Sequence, residues 1–171
     1  MGTQLIKKHL IKPFLNKGSS ESPEWVQIKK TTDFVRSMNP VTEDRDYIAD
    51  EHPTTEITDY KPSIPVTVTT YKGEEDFDYL YSKYKERAIG SDAQTDFLLV
   101  SVFDSVTKTE GETETTYYYA EKSNCTLAID EWNISGNSLG ATIYENGTPS
   151  IGYVVFTDGS PVFTEGDMPS A

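Results

Sequence analysis

Hydrophobic and polar residues alternate along most of the chain, in short runs of the kind that build half-buried strands. The stretch EWVQIKK (24–30) alternates, and DFVRSMN (33–39) resumes the pattern after a turn. DRDYIAD (44–50) is a further short strand candidate, and from Pro65 to Tyr71 the residues Val66, Val68 and Thr70 alternate with Thr67, Thr69 and Tyr71. The period then changes. In GEEDFDYLYSKYKERAIG (73–90), Phe77, Leu80, Tyr81, Tyr84 and Ala88 fall on one stripe at helical spacing. Glu74, Glu75, Asp76 and Asp78 crowd the first turn, and Lys83, Lys85 and Arg87 the last, which complements the helix dipole. Gly90 suits the residue just past the end. One helix is therefore expected over about 74–89.

Strand patterns dominate again after it. DFLLVSVFDSV (96–106) and TETTYYYAEK (113–122) flank TKTEGE, a hairpin loop containing Gly111. CTLAIDEW (125–132) precedes the turn cluster NISGNSLG. ATIYENGTPSIGYVVFTDG (141–159) reads as two strands around Asn146-Gly147, a strong hairpin signal. SPVFTEGDMPSA (160–171) reads as a short edge strand and a tail. About eight strands with a helix between the third and fourth predict a mainly β fold, a two-sheet β-sandwich or barrel-forming domain with one packed α-helix. No internal repeat is present. The domain is expected over 24–157, with an N-terminal arm (1–23), a C-terminal arm (158–171) and a long inter-strand loop (44–62). The first arm carries Leu5, Ile6, Leu10, Ile11, Phe14 and Leu15 before the hinge-like GSSESPE. Six large apolar residues argue that it packs on something. The loop lies within TEDRDYIADEHPTTEITDYKPSIPVTV (42–68), and so long a polar connection is uncommon inside a compact domain.

Charge sharpens this outline. Residues 1–30 hold six Lys against two Glu, a net of +4, whereas residues 31–171 hold nine basic and 26 acidic residues, a net of −17. Such a body repels nucleic acid. The chain of 171 residues, 36% hydrophobic and 12% aromatic, fits one domain with a real core. Mean hydropathy is −0.53 and no apolar run approaches the roughly 18–20 residues of a membrane span, so no membrane insertion is expected. The beginning of the chain shows no secretory h-region, and Cys125 stands alone, which fits a reducing compartment and excludes an intrachain disulfide.

Candidate chemistry is sparse. The two histidines, His9 and His52, fall in the arm and the acidic loop, and no nucleophile-elbow, phosphate-loop, dinucleotide or zinc-protease motif occurs. Asp130-Glu131-Trp132 is the best placed carboxylate pair, but a strand end is the simpler reading of it. DRDYIADE lacks the glycine and terminal glutamate of a calcium loop. Tyr117, Tyr118 and Tyr119 sit beside Glu112, Glu114 and Glu121, a poor platform for stacking bases. No catalytic, cofactor-binding or metal-ligating residue is assigned, and the chain is not expected to be an enzyme.

The order strand, long loop, strand, helix and further strands resembles the tail tube (major tail) protein of long-tailed, non-contractile bacteriophages. The resemblance is carried by Asp46, Tyr47, Ile48, Ala49, Asp50 and Glu51, by Thr54, Thr55 and Thr58, and by the exit Tyr60, Pro62, Ser63 and Ile64. It implies a structural virion protein whose hexameric rings stack into a tube, an acidic conduit for DNA ejection, with no cofactor. Inter-ring contacts would come from Asp46, Tyr47, Ile48, Asp50, Glu51, Thr54, Thr55, Glu56, Thr58 and Tyr60, and arm contacts from Leu10, Ile11, Phe14 and Leu15. The implied partners are other copies of the chain, the tape measure and the tail terminator. DNA would pass through the lumen without specific binding. The implied location is the virion tail, assembled in the host cytoplasm. The stretch before Trp25 is longer, more basic and more apolar than the family's arm. Two other readings remain beside this one: a tube-closing or joining subunit of the same fold, and a β-sandwich module binding carbohydrate or a cell surface through Trp25 and Trp132.

Overall fold

The computed structural model describes residues 2–171, as a mainly β protein with one packed helix and two sheets, of eight and two strands. The large sheet follows the order β2 (Trp25–Gln27), β1 (Ile11–Asn16), β7 (Gln94–Glu110), β8 (Thr113–Asn133), β9 (Ser138–Thr157), β6 (Ser63–Thr69) and β3 (Thr31–Phe34), all antiparallel. A last strand, β10 (Ser160–Glu165), pairs with the distal half of β9. The small sheet is the hairpin β4 (Pro40–Arg45) and β5 (Thr54–Tyr60).

The two end strands of the large sheet, β2 and β3, are separated in the chain by three residues, Ile28–Lys30. The sheet therefore curls until its edges almost meet. Inside the curve lie Leu15, Val66, Val68, Phe97, Leu127, Leu139 and Ile143, and the helix α1 (Glu75–Glu86) packs on them through Phe77 and Leu80. Asp76 in its first turn pins the seam: it is 3% exposed, and one carboxylate oxygen accepts the Lys29 and Lys30 backbone N–H groups at 3.0 and 2.9 Å. Because side chains alternate along a strand, a second apolar cluster forms on the other face. Phe14, Leu98, Val100, Ala120 and Val154 build it, with Trp25, Tyr118, Phe156 and Phe163 against them.

Several expectations need correction. The arm expected over 1–23 is built into the sheet: β1 lies between β2 and β7, and Phe14 and Leu15 are buried in their own chain, Leu10 and Ile11 half-buried. Lys12 and Pro13 obscured an apolar run that a strand with two buried faces requires. Half of the C-terminal arm is likewise β10. No hairpin forms at Asn146-Gly147. Both flanks pair with β8 (Asn124 with Asn146, Lys122 with Ser150), so Gly147-Thr148-Pro149 bulge opposite Ser123 and β9 runs on for 20 residues. Gly147 takes φ +65°, which the bulge needs and which made it look like a turn. The helix ends at Arg87, in the left-handed region at φ 49°, rather than at Gly90.

Candidate assembly surface

The long acidic connection is the β4–β5 hairpin. Thr42, Thr54, Thr55, Ile57 and Thr58 are β-branched, and their extended preference lets the segment pair with itself where the sequence suggests only a loop. Arg45 lies between Glu43 (3.2 Å) and Glu56 (2.7 Å), the Thr55 hydroxyl donates to Asp44 at 2.7 Å, and the Thr58 hydroxyl donates to the Val41 carbonyl at 3.2 Å. The three of these that cross between the strands, Arg45–Glu56, Thr55–Asp44 and Thr58–Val41, hold the register. They do not bury anything: every residue of β5 is exposed, including Ile57 at 56%, and the tip presents Tyr47 and the fully exposed Ile48. A lone two-stranded ribbon is marginal in water, so this one depends on its root.

The root is polar and firmly tied. Ser37 and Ser63 exchange backbone bonds at 2.9 Å, and the Asn39 amide donates to Lys61 O and Ser63 Oγ. Behind them the Arg36 guanidinium forks onto both oxygens of Glu145 at 2.7 Å and reaches Glu121 at 2.7 Å. The Ser123 hydroxyl completes the Glu145 shell at 3.1 Å. Burial alone works against the charged guanidinium, but the two carboxylates outweigh it and hold its pKa above the ordinary value. A cleft of about 350 Å³ runs between this root and the hairpin, lined by Met38, Ile57, Tyr60 and Thr148 among others. Arg36, Glu121 and Glu145 were missed in the sequence because they lie up to 109 residues apart within ordinary strand patterns.

All ten residues expected as inter-ring contacts fall on this hairpin. Asp46, Tyr47, Ile48, Asp50 and Glu51 occupy the tip, and Thr54, Thr55, Glu56, Thr58 and Tyr60 lie on β5. The N-terminal set divides differently: Phe14 and Leu15 are buried on opposite faces of β1, and Leu10 and Ile11 are half-buried.

Other candidates are structurally occupied. Trp132 packs edge-on against Tyr81 and Tyr84, and Trp25 against the second core cluster, so both are half-buried in their own chain. Asp130 accepts the Thr142 hydroxyl at 2.5 Å, and Glu131 lies over Gly140. Cys125 is fully buried; burial first, then the nearby Asp96 and Glu145 charges, push its thiol up to about 12. Among the described residues no three His, Cys, Asp or Glu side chains converge as a metal site would require.

No family model matches the chain, and no curated protein is significantly similar to it in sequence. Solved structures do share its fold. A tube-terminating cap protein of the anti-feeding prophage superposes with a TM-score of 0.50 at 12% identity, over 88% of this chain and 93% of that one. A chain of the same prophage's baseplate covers 88% and 97% at 9% identity, but its TM-score of 0.40 is too loose to bear on function. At such identities the first likeness establishes a shared fold.

Proposed function

We propose that the chain is a structural subunit of a phage-tail-like tube, closing into rings that stack end to end through the β4–β5 hairpin. The hairpin carries this reading. A ribbon with seven exposed residues on β5, four large exposed apolar side chains and a rigidly anchored root is costly in a monomer and useful against a neighbour. Its ten expected contact residues become the inter-ring contacts.

A second ribbon suits closure within a ring. Beyond a bulge at Ser101–Ser105, β7 and β8 continue as a two-stranded ribbon to Glu110 and Thr113 with no further strand on the β7 side. Free edges of this kind invite pairing with another chain. The ribbon bears Asp104, Glu110, Glu112 and Glu114 against Lys108. Joined around a six-membered ring, such ribbons make a negative bore that DNA traverses without sticking. In this reading the subunit belongs to the virion tail, assembles in the host cytoplasm, meets the tape measure and tail terminator, and has no enzymatic role. The non-contractile class draws no support from the anti-feeding prophage neighbours.

One alternative is a subunit that closes a tube instead of extending it, as the tube-terminating cap of similar fold suggests. Electron microscopy of the purified chain at high concentration separates the two: stacked rings for the tube subunit, single rings for the closing one. The hairpin is tested directly by replacing residues 41–59 with Asn-Gly. Pro40 and Tyr60 are paired in register, so their ends are close enough for a short turn to join them. The shortened chain is expected to fold and to lose stacking; normal stacks would sink the assignment.

A further inference from the structure

The start of β3 and the hairpin root lie at opposite ends of β6. β3 starts at Thr31, opposite Val68, and the chain reaches the hairpin root at Ser37, opposite Ser63. At about 3.3 Å per residue the run of β6 from Val68 to Ser63 sets these points about 16 Å apart, and the strands of the hairpin are about 20 Å long. A groove of about 600 Å³ lies along the whole of β3, between the first residues of the chain and the β2–β3 seam. Lys8, His9, Ile11, Lys29, Thr32 and Phe34 line it.

The hairpin and the groove are complementary in charge and in apolar content. Residues 40–60 carry seven carboxylates (Glu43, Asp44, Asp46, Asp50, Glu51, Glu56, Asp59) and one arginine, a net of −6. Arg45 engages Glu43 and Glu56, which leaves Asp46, Asp50 and Glu51 at the tip without a cationic partner among the described residues. Lys30, just beyond the groove, is engaged by Glu74, whereas Lys8, Lys12 and Lys29 on its lining have no carboxylate within 4.0 Å among the described residues. Asp33 is the one acid on the groove's lining. The tip also exposes Tyr47 and Ile48, and the groove carries Ile11 and Phe34, both half-buried.

We infer that the acidic hairpin tip of one copy docks in the basic groove of the next, with Asp46 and Asp50 against Lys8 and Lys29, and Ile48 on the Ile11–Phe34 floor. The contact rests on the stacking reading and names the surface it uses. It joins different patches on the two copies, so each docked copy leaves a fresh groove and a fresh tip. An interface of that type propagates.

The test uses two full-length variants. Lys8→Glu/Lys29→Glu makes both groove and tip acidic, at net −17; Asp46→Lys/Asp50→Lys makes both basic, at net −9 (from −13, by −4 and +4). All four positions are exposed, so both variants should melt like the native chain. Each alone is expected to need at least about tenfold more protein to stack, by sedimentation and microscopy; one such factor corresponds to about 1.4 kcal/mol. An equimolar mixture restores stacking, because every acidic tip then finds a basic groove and the reverse. General repulsion predicts otherwise: the −9 variant would stack better than native and mixing would add nothing. That result overturns the inference. Native-like stacking by either variant also overturns it while leaving the stacking function intact. Single rings from the native chain overturn it in favour of the closing subunit, and a native chain that stays monomeric overturns both.

Discussion

Asp76 shows how a single side chain ties the curled sheet to the helix. Its position among Glu74, Glu75 and Asp78 suggests a residue placed for the helix dipole. In the fold it is buried, and it receives two backbone N–H groups from the linker that joins the sheet's end strands, plus the Phe77 N–H at 2.8 Å. Asp76→Ala removes the acceptor and strands the Lys29 and Lys30 N–H groups. A hydrogen bond to a charged group contributes about 1.5–3 kcal/mol, so losing these part-buried bonds is expected to cost about 3 kcal/mol in urea or thermal unfolding. Glu75→Ala, at an exposed position one residue away, should change stability by less than about 0.5 kcal/mol. Composition made the acidic first turn legible. It gave no means of telling the buried acid from the exposed ones, because the partner is 46 residues upstream. The Arg36–Glu145 pair was hidden for the same reason.

Elements were legible where local pattern and tertiary demand agreed. The helix and β6 follow their apolar spacing, whereas the length and polarity of the long connection do not disclose that it pairs into a hairpin. Disagreement arose where a strand had to serve two faces or keep one partner through a bulge. β9 passes through Asn146-Gly147 because β8 lies alongside on both sides of it. β1 carries Lys12 and Pro13 yet sits inside the sheet, with Pro13 buried and its carbonyl accepting the Ile28 N–H at 3.0 Å. The two views of the N-terminus predict different truncations. A docking arm is dispensable for folding; a strand between β2 and β7 is not, since losing it exposes Phe97 and Leu98 and strips the β2 edge of its partner. Deleting residues 2–7 should therefore leave the melting temperature within a few degrees of native. Deleting 2–16 should abolish cooperative unfolding in calorimetry, and a sharp transition retained in that shorter chain would return β1 to the status of an arm.

At the scale of the whole molecule, the net charge of −13 conceals a polarity: +4 over residues 1–30 and −17 over the remainder. That division is visible in the sequence, but its direction is not, because only the topology sets the groove along β3 and the hairpin root beyond its end. The polarity makes assembly sensitive to salt in a definite sense. Self-repulsion between acidic bodies is relieved by ions, which favours association, whereas a tip-to-groove contact between exposed charges is weakened by them. Screening shortens from about 10 Å at 0.1 M salt to about 3 Å at 1 M. A contact made of Asp46, Asp50, Lys8 and Lys29 at the rim of a half-apolar groove should feel that change more than backbone pairing between ribbon edges. Rings and stacks should therefore part company: raising salt from about 0.1 to 1 M is expected to shorten stacks toward single rings in sedimentation velocity, with the rings persisting. Stacks that lengthen with salt would mean that relief of repulsion dominates and that apolar contacts through Tyr47, Ile48 and Ile57, rather than the charges, hold one ring to the next.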